Sequence, residues 1–246
     1  MIYVIYNMNM IDGILMIDKP EGISSAKAVS KIKKKLHLNK AGHTGTLDPF
    51  ATGLLIVCLN HATKIAGYLS DLDKTYLGTM ILGIATDTQD LTGKVIKVNP
   101  IKPNQLKLEE IEDVFKKYRG EISQIPPMFS AKKSQGQKLY QLARKGIKIE
   151  LTPRKVKIFQ LNLLRVKFDR YPSITFQVKC SKGTYVRTIA HDIGEYLGWG
   201  AYLSHLRRTH IGKISVNQAI KLDDFLKLPF EEQGKYILDP QNFKEI

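Results

Sequence analysis

Residues 42–53 read Gly42-His-Thr-Gly-Thr-Leu-Asp-Pro-Phe-Ala-Thr-Gly53, and this stretch constrains the fold more than any other part of the 246-residue chain. Its glycines allow backbone conformations and close approaches that other residues resist. Pro49 fixes its own φ and biases the residue before it towards extended geometry, so the one carboxylate of the stretch, Asp48, sits on a stiff support. A lysine-rich helical pattern precedes the segment and an apolar strand-like run follows it. Two readings fit these residues equally. One is an Asp-Pro turn that joins helix to strand; the other is a rigid loop that presents a single acid to a large substrate.

The flanking patterns predict a strand over 13–18 and a helix from a Ser24 or Ser25 cap to about residue 38, with Val29, Ile32 and Leu36 on its apolar stripe. A buried strand is expected over 54–59, a short helix over 62–70, a strand over 74–82 and an extended run over 94–98. A helix over 106–118 would face Leu108, Ile111, Phe115 and Tyr118 inward, with Gly120 near its end. Residues 124–150, basic and broken by proline at the front, read as an excursion from the core. Long antiparallel strands over 155–168 and 173–180, a helix over 184–197, a strand over 205–211 and two short helical pieces within 216–237 complete the chain. Strands and helices mix without strict βαβ alternation, which predicts an α+β fold with a mixed, largely antiparallel central sheet flanked by helices and loops.

Charge narrows the class of partner. Lys plus Arg number 38 against 23 Asp plus Glu, a formal net charge of +15. Such an excess suits a polyanion, because each cation set against a phosphate releases condensed counterions; solvated surface charge is the other explanation. Cys58 and Cys180 lie in apolar runs and read as buried, reduced thiols, with no Cys-x-x-Cys or zinc spacing. The apolar start at residues 1–6 is too short to span a bilayer and lacks a signal-peptide pattern, so a cytoplasmic protein without membrane attachment is expected. Met8 and Met10 are alternative starts, which leaves 1–10 as an uncertain extension. There is no Gly-x-x-x-x-Gly-Lys-Ser/Thr loop and no dinucleotide fingerprint, and the six histidines show no metal-ligand spacing. Asp48, Tyr76, Tyr185 and Arg187 remain, and a reaction run by one carboxylate, one arginine and aromatic rings needs no cofactor and no metal.

Asp18-Lys-Pro-x-Gly-x-Ser-Ser25, the 42–53 stretch, Asp73-Lys-x-Tyr76, Cys180-Ser-Lys-Gly-Thr-Tyr-Val-Arg187 and Leu206-Arg-Arg208 occur in that order. Together they resemble the TruB family of tRNA pseudouridine synthases, over about residues 12–215. Gln124-Ile-Pro-Pro-Met-Phe-Ser-Ala131 and Gly136-x-Lys-Leu-Tyr140 are similar to that family's RNA-gripping insertion. The resemblance implies isomerisation of uridine 55 in the T-loop of tRNA to pseudouridine, on a base flipped out of the folded loop. It makes Asp48 the nucleophile or the carboxylate that drives glycosidic cleavage, with Arg187 pairing to it. Tyr76 would stack on the uracil, and Tyr185 and Leu206 would wall the pocket against water. His43 would take the place of the extruded base, and Lys19 and Pro20 would support the loop. Lys19, Lys132, Lys133 and Lys138 are carried over as RNA-binding residues.

The resemblance also implies a single catalytic domain over 1–246, with 124–150 as an RNA-binding insertion. Residues 216–246 form a short tail in place of the full C-terminal RNA-binding domain of many relatives. The expected partner is the T-arm of tRNA, with no obligate protein partner and a monomeric state. A guide-RNA-dependent synthase subunit and a non-catalytic tRNA-binding or tRNA-folding protein are the alternatives.

Overall fold

The computed structural model describes residues 11–102, 105–130, 133–134, 137–147 and 149–243. The expected extension at 1–10 and Lys132 lie outside the described residues. In chain order the strands are β1 (Gly13–Lys19), β2 (Ala41–His43), β3 (Thr52–Leu59), β4 (Lys74–Leu82), β5 (Ile84–Thr86), β6 (Val95–Val98), β7 (Gly120–Gln124), β8 (Lys133–Ser134), β9 (Gln137–Lys138), β10 (Arg154–Lys167), β11 (Ser173–Cys180), β12 (Ala201–Ile211), β13 (Ile214–Ser215), β14 (Ile220–Lys221) and β15 (Ile237–Leu238). The helices are α1 (Ser25–Lys35), α2 (Ala66–Asp71), α3 (Leu108–Lys117), α4 (Leu139–Arg144), α5 (Val186–Tyr196), α6 (Leu222–Lys227) and α7 (Phe230–Gln233). The chain divides into two compact units, one formed by residues up to 72 and from 207 onwards, the other by residues 73–206.

In the first unit β1 pairs antiparallel with β3 from Gly13↔Leu59 to Lys19↔Gly53. β14 joins β1 in parallel, β15 and β2 add antiparallel rungs, and Arg207 and Arg208 of β12 run parallel to Thr52 and Gly53. β1 and β3 are almost continuously apolar because both of their faces are covered. Leu15, Ile17, Leu55 and Val57 pack on Val29 and Ile32 of α1 and on Phe225 of α6; Ile14, Met16, Ile56 and Cys58 pack on Leu69, Val216 and Phe243. Ser24 caps α1, its side chain accepting from the Lys27 amide.

In the second unit β4, β11, β10 and β7 pair antiparallel throughout. β4 and β11 alternate buried and half-buried positions, which puts Tyr76, Met80, Phe176 and Val178 inside. Phe115 of α3 meets Phe176 edge to face at 6.0 Å. Gly78 makes room for that ring, since a Cβ there would lie 2.8 Å from it.

The mixed, largely antiparallel α+β reading is borne out, and β1, β3, β4, β10, β11, α1 and α5 fall where the patterns put them. Three details differ. Leu108 is 43% exposed, because the inward face of α3 is Ile111, Val114 and Phe115. Gly120 opens a strand, β7, that the sequence patterns do not announce. The excursion after Gln124 holds a two-rung hairpin, β8–β9, followed by α4. Among the described residues no helix is long and apolar enough to cross a membrane. Both cysteines are buried, and burial pushes the Cys58 thiol up to about 11.

Candidate active site

The Asp48 loop is fastened through its main chain. Ser25, the first residue of α1, uses one hydroxyl twice: Oγ accepts from the Leu47 amide at 2.8 Å and donates to the Leu47 carbonyl at 3.1 Å. The Pro49 carbonyl accepts from the Gly22 amide at 2.8 Å, and the Ala51 amide donates to the Asp48 carbonyl at 3.1 Å. Asp48 itself is half-buried between buried Leu47 and exposed Pro49. Its neighbours are therefore fixed while Asp48 stays partly exposed.

Two buried cations complete the support. Lys19 ends β1 with no exposed surface, and its ammonium donates to the carbonyls of Pro20 and Ile23 at 2.8 Å and of Pro49 at 3.4 Å. Burial lowers its pKa to about 8, opposed by the Asp48 charge and assisted by Arg208. Arg208 is 1% exposed; it donates to the Leu54 carbonyl at 2.7 Å, the Gly45 carbonyl at 3.0 Å and the Thr46 carbonyl at 3.5 Å. Gly53 faces it across the β3–β12 rung with φ +104°, and a Cβ there would lie 2.2 Å from the Arg208 carbonyl oxygen. The neighbouring Arg207 forks onto Asp18, with contacts of 3.0 and 2.7 Å. His43, half-buried at the end of β2, accepts the Gly45 amide on Nδ1 at 3.4 Å. Burial first, then the Arg208 charge, hold its pKa below the usual histidine value.

The second unit carries the remaining candidates. Tyr76 lies on the buried face of β4 opposite Val178 and is 8% exposed. Tyr185 caps the start of α5 and is half-buried, and Leu206 is 5% exposed. Arg187, 4% exposed in the first turn of α5, meets Asp90 Oδ2 at 3.3 Å, the Thr88 carbonyl at 3.3 Å and the Phe129 carbonyl at 2.8 Å. Asp90 is also buried, and its other oxygen accepts from the Thr88 hydroxyl, the Thr92 hydroxyl and the Thr92 amide at 2.6–2.9 Å. The turn around it is anchored to β12 by paired backbone bonds with Leu203. Both carboxylate oxygens are engaged, the condition under which a buried ion pair is tolerated.

The structure thus gathers Asp48, Lys19 and His43 in the first unit and Tyr76, Tyr185, Arg187 and Leu206 in the second. Lys19 corrects one expectation. Its ammonium is held by three carbonyls and has no exposed surface, so it supports the loop from beneath and is not an RNA contact. Lys133 and Lys138 are partners in the β8–β9 hairpin. The sequence reading assigns no role in the site to Asp90, Arg208, Ser25 or Gln124. The doubled Arg207-Arg208 and the Thr-x-Thr-x-Asp-x-Thr turn over 86–92 are the signals that point towards Arg208 and Asp90. No group of three or more His, Cys, Asp or Glu side chains suited to a metal occurs among the described residues.

Comparison with known proteins identifies the family. Residues 33–186 match the TruB family pseudouridylate synthase N-terminal domain, and residues 187–240 match the tRNA pseudouridylate synthase B C-terminal domain. The tRNA pseudouridine synthase B of Francisella philomiragia is 48% identical over 223 residues, covering 91% of this chain and 72% of that protein. The enzyme of the same name from Aquifex aeolicus is 45% identical over 227 residues, covering 92% and 77%. Among solved structures, a Cbf5-Nop10-Gar1 complex superposes with a TM-score of 0.71 at 29% identity, over 95% of this chain and 62% of that one. An H/ACA RNP bound to a substrate RNA containing 2′-deoxyuridine gives 0.67 at 28%, over 93% and 59%. The chain thus spans about three fifths of those solved chains.

Fold and family relationship together define a pseudouridine synthase, an isomerase. The chain belongs to the TruB family.

Proposed function

We propose that this chain converts uridine 55 in the T-loop of tRNA to pseudouridine as a stand-alone, single catalytic domain that requires no cofactor and no protein partner. The observation that carries the reading is the Asp48 loop, braced by Ser25, Lys19 and Arg208, in a chain whose 45–48% identical relatives are named tRNA pseudouridine synthase B. The formal charge of +15 suits an RNA partner acting in the cytoplasm.

In this reading the flipped uridine enters as the neutral base, and Asp48 as a carboxylate drives cleavage of the N1–C1′ bond. The uracil turns in place, C5 bonds to C1′, the C5 proton leaves to solvent and N1 gains a proton, so atoms and charge balance. Tyr76 supplies a stacking face for the detached base, and Tyr185 and Leu206 exclude the water that would turn isomerisation into base loss. Arg187 supplies a guanidinium cation to the reaction, and His43 fills the space that the extruded base leaves in the loop. Lys132, Lys133 and Lys138 lie on the insertion assigned to the RNA backbone.

A second reading, a guide-RNA-dependent subunit, draws on the likeness to the Cbf5-Nop10-Gar1 and H/ACA structures. The higher identity to the tRNA enzymes favours the first. The test is tritium release from a tRNA transcript labelled at uridine C5, with purified protein and no guide RNA. One equivalent released, and none when uridine 55 alone is replaced, is the expected result. No release until a guide RNA and accessory proteins are added would favour the second reading.

A further inference from the structure

Gln124 closes β7 at the point where the chain leaves for the excursion, and only 2% of its surface is exposed. Its carboxamide grips one residue on both sides: Nε2 donates to the Tyr185 carbonyl at 3.0 Å, and Oε1 accepts from the Tyr185 amide at 2.8 Å. One donor and one acceptor on the same partner fix which end of the carboxamide is which. Tyr185 is the cap of α5, and its carbonyl also receives the amides of Thr188 and Ile189 at 3.1 and 3.2 Å. The amide of a cap residue has no partner inside its helix, so the bond from Gln124 supplies one from outside.

The same excursion is tied to the same helix start a second time. The Phe129 carbonyl accepts from Arg187 at 2.8 Å, so residues 124 and 129 are anchored to residues 185 and 187. Between the anchors stand Pro126 and Pro127, both buried, which restrict the backbone and pass a displacement along. Beyond them begins the β8–β9 hairpin, in which Lys133 and Lys138 are register partners.

We propose that Gln124 is a positioning residue whose carboxamide couples the seating of the excursion to the start of α5, so that RNA engaged there sets Tyr185 and Arg187 for the reaction. Binding energy gathered away from the reacting atoms is thereby used for orientation. The proposal rests on the reading that Tyr185 and Arg187 serve the isomerisation.

The experiment compares wild type with Gln124→Met, which keeps the side-chain length and removes both polar atoms, and Gln124→Glu, which keeps only the acceptor. Steady-state turnover on tRNA, tRNA affinity, melting temperature and amide hydrogen exchange are read on each. The expected result is a kcat lowered by about tenfold or more in Gln124→Met, the scale of the two buried hydrogen bonds lost, with KM and Kd within about twofold of wild type. Gln124→Glu should recover protection of the Tyr185 amide and only part of the turnover. Exchange should quicken at Tyr185 and over 125–130, with the rest of the second unit unchanged. A wild-type kcat with unaltered exchange at Tyr185 overturns the proposal, and so does a kcat loss that merely tracks a lowered melting temperature and a raised KM. Should wild type fail to convert tRNA, the functional reading falls and exchange alone decides: faster exchange confined to those two segments supports the coupling, and unchanged exchange overturns it.

Discussion

Lys19 shows how much of the candidate site is decided by single buried groups. Its pKa of about 8 lies below the ordinary lysine value of 10.5 because burial penalises the ammonium. Between those two values the unfolded chain holds a proton that the folded chain has released, so this group makes stability rise with pH across that window. The loop responds in the opposite sense, since a neutral amine keeps two N–H bonds for three carbonyls. Turnover is therefore expected to fall on the alkaline side above about pH 8 while the melting temperature does not, and Lys19→Met should remove that limb of the pH profile. Asp90 makes a second prediction. Asp90→Ala leaves Arg187 buried beside a lost charge, which should cost about 3–5 kcal/mol in denaturant unfolding and lower turnover as well. Asp48, Tyr76, Tyr185 and Arg187 are legible in the sequence as candidates because each sits in a short motif of unusual residues. Asp90 and Arg208 are not, because a charged side chain is expected at the surface and only the folded turns supply the carbonyls and hydroxyls that make burial tolerable.

Periodicity carries most of the element-level information. The two-residue alternation of β11 and the apolar stripe of α1 are present in the sequence and survive in the fold, whereas β4 shows its alternation only as burial. β7 is not visible, because Gly120-Glu-Ile-Ser-Gln124 is short and runs straight into two prolines; its partner β10 decides its conformation. Leu108 is misjudged because an apolar residue at the mouth of a helix lies beyond the sheet that the helix covers. β3 runs close to β12 at Gly53, and there substitution should be severe. Gly53→Ala combines a positive φ with a Cβ driven against the Arg208 carbonyl, so a loss of about 3 kcal/mol or more is expected in a urea titration. A loss below about 1 kcal/mol would mean that the rung yields easily.

Across the whole chain the excess of 38 cationic over 23 anionic residues sets how RNA is met before any base is read. Affinity for tRNA is expected to fall by at least about tenfold for a fourfold rise in salt, as counterions released from phosphates are regained. A flat response would remove the electrostatic footprint from the account. Composition makes this visible from the sequence, whereas the division into two compact units is not, because residues 207 onwards return to the unit that residues up to 72 begin. The central claim is that one carboxylate, on a loop held by its main chain, drives the isomerisation. The direct measurement is tritium release from C5-labelled tRNA by Asp48→Asn protein at saturating substrate, beside wild type. The account predicts one equivalent from wild type and none from the variant, with tRNA affinity unchanged; release by the variant at the wild-type rate would contradict it.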